Sequence, residues 1–110
     1  MSIELPKPIA AYFTADADKV DREAVALCFA ENAVVKDEGH VYTGRVAIKQ
    51  WKENSSTQYQ YTSEPFKSED IGGKTIITSH LVGNFPGSPL DLRYVFELDG
   101  DSIASLEIIP

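Results

Sequence analysis

Residues 90–109, LDLRYVFELDGDSIASLEII, carry the pattern from which the fold class follows. Leu90, Leu92, Tyr94, Phe96 and Leu98 alternate with Asp91, Arg93, Val95 and Glu97, the period of two that sends successive side chains to opposite faces of a strand. Asp99-Gly100 is a tight-turn signal, and SIASLEII supplies the returning strand of a hairpin. Upstream, Gly72-Gly73 breaks the chain before KTIITSHLVGNF, and QYQYTSEPF alternates polar and aromatic residues around Pro65. The second half of the chain therefore reads as antiparallel strands.

The first half has a different period. Pro6 and Pro8 punctuate the entry to a helix over about Pro8 to Ala17, with Ile9, Tyr12, Phe13 and Ala17 on its inner face. Asp21 is placed as the N-cap of a second helix, and Glu23 follows in its first turn, where the helix dipole favours an acid. Ala24, Leu27, Cys28 and Glu31 recur at helical spacing, with Val25 and Phe29 widening the stripe, so this helix is expected to end near Asn32. AVVKDEGHVYTG, from Ala33 to Gly44, is β-branched and aromatic with a break at Gly39, which predicts two short strands or a hairpin rather than a helix and leaves Asp37 at the end of the first strand. A third helix follows in RVAIKQWKENS, where Ala47, Ile48 and Trp51 share a face. Helices first and antiparallel strands afterwards imply an α+β layer fold rather than a βαβ repeat.

Composition excludes several classes. A chain of 110 residues, 43% hydrophobic and 25% charged, suits one globular domain with one core. A formal net charge of −7 with no basic cluster argues against a nucleic-acid partner, since that affinity rests on Lys and Arg neutralising phosphates. No run approaches the ~18 apolar residues of a membrane span, and MSIELPKPIA lacks the features of a signal peptide, so a soluble, cytoplasmic protein without a membrane partner is expected. Two scattered histidines and one cysteine give no metal-ligand spacing. Cys28, within AVALCFA, is expected to be a buried structural thiol.

AAYF in the first helix, DREAVALCFAENAVVKDEG, YTGRVAIKQW, GNFPGSPLDLRYVFEL and SIASLEI occur in an order and spacing that resemble the nuclear transport factor 2-like superfamily, close to its SnoaL-like branch. The resemblance covers almost the whole chain. It implies a cystatin-like cone in which a curved antiparallel sheet wraps an N-terminal helix, with three helices and an internal pocket. Relatives include ketosteroid isomerase, scytalone dehydratase, polyketide cyclases and non-catalytic binding proteins, and many pair into homodimers through the outer face of the sheet. Function must therefore be argued from the site.

The resemblance to ketosteroid isomerase implies an oxyanion-stabilising role for Tyr12 and a general-base role for Asp37, chemistry in which a carboxylate takes a proton from carbon while a hydroxyl donates to the oxygen where charge develops. Tyr94 stands nearest the position of that enzyme's third catalytic group, an aspartic acid, and Glu38 stands where it has proline. Read as residues alone, Asp37 before Glu38-Gly39 is equally a turn residue, and Tyr12 at helical spacing from Ile9 is equally a core residue. His80, in mid-strand, is a further acid–base candidate and is aligned by alternation with Ile76, Thr78 and Val82. Phe29, Trp51, Tyr59, Phe85 and Phe96 are candidates for a ligand-binding wall, packing being the alternative for each. Arg45 and Arg93 are expected in surface ion pairs, and the GNFPGSPL loop is expected to shape the cavity rim. Two functions follow: a cofactor-free isomerase, cyclase or dehydratase acting on a small hydrophobic molecule, or a non-catalytic ligand-binding or scaffolding homodimer.

Overall fold

A computed structural model describes residues 3–17, 22–58 and 60–110, without the side chains of 22 and 55–58. The order of elements is α1 (Lys7–Ala17), α2 (Arg22–Ala26), β1 (Phe29–Asp37), β2 (His40–Thr43), α3 (Arg45–Gln58), β3 (Tyr61–Ile71), β4 (Lys74–Gly83), β5 (Leu90–Asp99) and β6 (Ser102–Ile109). The N-cap expected at Asp21 and the wall residue expected at Tyr59 lie outside the described residues.

The six strands form one curved, unclosed sheet in the order β2-β1-β6-β5-β4-β3. Every neighbouring pair is antiparallel except β1 and β6, which run parallel. Register shifts interrupt β1 between Phe29 and Val34, β3 between Pro65 and Lys67, and β6 between Ile103 and Ser105, opposite Leu98 and Glu97 of β5. An extra residue on one strand bends it and increases its twist, so these three irregularities give the sheet its concave face. At the β3 shift Phe66 drops out of the ladder and is exposed.

The second helix is shorter than its periodicity predicts. Phe29 has already entered β1, where it pairs with Ile103, and the Ile103 amide donates to the Cys28 carbonyl at 2.9 Å. Helical spacing in residues 24–31 thus yields to the sheet, whose long-range pairing overrides a weak local propensity. Cys28 is half-buried with its thiol donating to the Ala24 carbonyl at 3.4 Å, and burial pushes its pKa up. Arg45 is used locally as well: its Nε donates to the Phe29 carbonyl at 2.9 Å and ties the start of α3 to the start of β1.

The core fills one end of the concavity. Ile9, Tyr12 and Phe13 of α1 meet Phe29, Val35, Ile77, Phe96, Ile103 and Leu106 of the sheet, and Val25 and Ile48 close the group. The Tyr12 ring packs edge-on against Phe13, Phe29 and Phe96 at centroid distances of 5.2, 5.9 and 5.7 Å, the geometry that aromatic quadrupoles prefer.

Gly83, where β4 leaves the sheet, is fixed by close approach. A Cβ there would meet the Gln60 carbonyl and the backbone and Cβ of Tyr61, neither of which is a flexible side-chain end. Gly83→Ala is expected to lower stability by about 1–3 kcal/mol, measured by urea denaturation.

Candidate functional site

The end of the concavity that α1 leaves open is a cavity of about 960 Å³, within the size range of small-molecule sites. Strand alternation builds its apolar wall. On β5 the inward face runs from Phe96 in the core through Tyr94 to Leu92 and Leu90 on the cavity, and Leu81 of β4 and Ile108 of β6 continue it. Phe85 and Pro86 of the loop after β4 close the rim.

The polar wall comes from β1 and α3. Ala33, Val35 and Asp37 share the inward face of β1, so the period that buries Val35 also points Asp37 beneath α3. The turn after it has φ of 51° at Glu38 and 78° at Gly39, the two left-handed residues that a two-residue I′ hairpin requires, and Asp37 pairs with His40 across it. Trp51 donates its indole N–H to Asp37 Oδ2 at 3.0 Å, which fixes the carboxylate at the edge of the cavity.

Ile48, Trp51 and Lys52 stand at i, i+3, i+4 on α3, and Ile9, Tyr12, Phe13 and Asp16 hold the equivalent inner positions on α1. Two inward charges of opposite sign therefore face each other. Lys52 Nζ lies 2.7 Å from Asp16 Oδ1, with each residue only 3% exposed. The Tyr61 hydroxyl donates to Asp16 at 3.1 and 3.3 Å and accepts from Lys52 at 3.3 Å. Lys52 Nζ also stands 4.5 Å from the centre of the Trp51 ring and 5.3 Å from that of Tyr12. The sequence reading missed this group. It had placed Ala17, which is exposed, on the inner face of α1, although the i+7 step from Ile9 reaches Asp16. An acid and a base on the apolar stripes of two helices were the available signal.

The structure brings Asp37, Trp51, Phe85 and Tyr94 to the cavity. Tyr94 is nearly buried, and on the neighbouring strands Ser63 meets the fully buried Ser79 at 2.6 Å. Phe29 and Phe96 lie in the core instead, because α1 packs on their part of the sheet. Tyr12 is also wholly buried there; its hydroxyl has no hydrogen-bond partner among the described residues and its ring fills the core. His80 is on the outer face with Ile76, Thr78 and Val82, as alternation required, and that face points away from the cavity; its Nδ1 lies 2.7 Å from Asp91. Arg93 donates to the Pro110 carbonyl at 3.1 Å. Among the described residues no group of three or more His, Cys, Asp and Glu is placed to hold a metal ion, and no helix is long and apolar enough to cross a membrane.

Comparison with protein-family models and with curated proteins gave no match. Solved structures did match. Protein SMa1630 of Sinorhizobium meliloti, a candidate polyketide cyclase, is 39% identical with a TM-score of 0.89, over 96% of this chain and 95% of that one. A Catenulispora acidiphila protein with a ketosteroid isomerase-like fold, solved with trimethylamine, is 20% identical with a TM-score of 0.84, over 97% and 87% of the two chains. SalBIII, an epoxide hydrolase/cyclase-like enzyme with a role in pyran ring formation in the polyether salinomycin, is 23% identical with a TM-score of 0.76, over 93% and 86%. The last two share too little sequence to speak for more than the fold. Sheet, helices and likenesses together define a cystatin-like α+β protein. The chain belongs to the nuclear transport factor 2-like superfamily, in its SnoaL-like branch.

Burial raises the pKa of Tyr12 and of Tyr94, with the nearby Asp16 carboxylate adding to the shift in both and Lys52 opposing it at Tyr94. Both phenols stay protonated in the folded state at pH values where the unfolded chain loses those protons. The stability they contribute is complete below the ordinary tyrosine pKa of 10.0 and falls as pH rises past it. Thermal melts are expected to show a lower Tm at about pH 11 than at about pH 8, and a smaller difference for the Tyr12→Phe/Tyr94→Phe double variant.

Proposed function

We propose that the cavity binds a small, largely apolar molecule and that Asp37 accepts a proton from it, as in an isomerase, cyclase or dehydratase. The observation that carries this reading is the Asp37 carboxylate, held by the Trp51 indole at the edge of a cavity that Tyr94 also lines. A base needs such a fixed position beside a substrate C–H. Tyr94, kept protonated by burial, supplies a hydroxyl for the oxygen on which charge develops. Tyr12 supports this from beneath by packing against Tyr94, with ring centroids 6.4 Å apart. The proton transfer as written uses only side chains of this chain.

The likeness to a candidate polyketide cyclase favours cyclisation of a carbonyl-bearing chain among these reactions. A second reading keeps the cavity and removes the turnover: a ligand-binding or scaffolding homodimer. The exposed Val82 on the outer face of the sheet favours it, as an apolar position on a face where two copies could pair.

Asp37→Asn decides between them. The amide keeps the size of the side chain and an acceptor for the Trp51 indole but cannot take a proton. Turnover is expected to fall by about 10²–10⁴-fold with the Tm little changed. Turnover that survives the change at the wild-type rate rejects Asp37 as the base.

A further inference from the structure

The cavity has a second charged wall that the proton acceptor does not use. Lys52 and Asp16 meet at 2.7 Å, and only one of them opens on the cavity: Lys52 lines it with Tyr61, while Asp16 stands behind on α1. The orientation is fixed. Asp16 receives Lys52 and Tyr61, and the aromatic faces of Trp51 and Tyr12 flank the ammonium. Taking two charges out of water carries a cost that their attraction recovers only in part, and an apolar pair of similar volume would serve folding as well. The arrangement places a lysine, paired with Asp16 on α1, in the wall of a largely apolar cavity.

Away from Lys52 the lining residues include three acids, Asp37, Glu38 and Glu107, and one base, Lys36, so the balance of charge there is negative and a negative group on a ligand is drawn toward Lys52. Trp51 stands between the two ends, with its N–H on Asp37 and its ring under Lys52.

We infer that Lys52 selects the ligand: an apolar molecule bearing an anionic or readily ionised oxygen, such as a carboxylate, an acidic enol or a phenolate, seated with that oxygen against Lys52. The inference rests on the reading of the cavity as a ligand site. With Asp37 as acceptor the two ends divide one reaction. The proton leaves a carbon beside a carbonyl for the Asp37 carboxylate, the C–H electron pair becomes the C=C bond of the enolate, and the carbonyl π pair moves to the oxygen that faces Lys52. A charge-assisted hydrogen bond at that oxygen is about twice as strong as one between neutral groups. Asp16 offsets part of the lysine charge, so the preference for an anion is moderate rather than absolute.

Calorimetric titration of the intact chain with 4-nitrophenolate and with 4-nitroanisole, the same ring without the charge, tests this. The wild type is expected to bind the phenolate tighter by roughly tenfold or more, and the Asp16→Asn/Lys52→Met double variant to lose that preference. The double change removes both charges and so strands neither. Should that variant not fold, a crystal of the wild type with the phenolate carries the test: its oxygen is expected within hydrogen-bond distance of Lys52 Nζ, and an oxygen at the mouth contradicts the inference. Equal affinities in the wild type, or a preference unchanged in a folded double variant, overturn the role of Lys52 and leave the ligand-binding reading standing. Binding of neither probe overturns both.

Discussion

The ion pair between Lys52 of α3 and Asp16 of α1 is the constraint on which the cavity depends. It joins the two longer helices at a point almost closed to water, and Tyr61 ties the same point to the first residue of β3. A cation and an anion of this kind must be satisfied together or not at all, because either one left alone would be an uncompensated buried charge. The requirement fixes where α3 lies against α1. That position in turn sets the height of Trp51, and Trp51 holds Asp37.

Core and cavity are two parts of one surface. The inward face of β5 contributes Phe96 to the packed end and Leu92 and Leu90 to the open end, with Tyr94 at the boundary. What separates the two is the reach of α1, whose Tyr12 and Phe13 rings cover Phe96 and contact Tyr94. A small protein that fills half of its concavity in this way spends apolar surface on a site rather than on stability. The Ser79–Ser63 pair of hydroxyls has the same character, since polar atoms within the inner face of a sheet are tolerable only when they satisfy one another.

Much of this was legible in the sequence, and the reasons for the exceptions are physical. Alternation in residues 90–98 identified the strand and sorted its residues into two faces, and the Asp99-Gly100 turn identified its hairpin partner. It also aligned His80 with Ile76, Thr78 and Val82, but alternation alone does not reveal which of two faces is covered, and here that depends on α1. Asp37 was marked by the resemblance to ketosteroid isomerase, and the turn that follows it has left-handed residues at Glu38 and Gly39. The extent of α2 was misjudged because residues 24–31 satisfy a helical period while β6 offers Phe29 a ladder partner that no local window contains. Lys52 and Asp16 escaped for a similar reason: each is an ordinary surface residue type, and only the fold makes them partners.

The account is most directly tested by a double-mutant cycle on the buried pair, with stability measured by denaturation for Asp16→Asn, Lys52→Met and the two together. Each single change is expected to cost about 3–5 kcal/mol, and the double change far less than their sum, because it removes the stranded charge along with its partner. Losses that simply add, or that are each below about 1 kcal/mol as for an exposed pair, would contradict the central place given to Lys52 and Asp16.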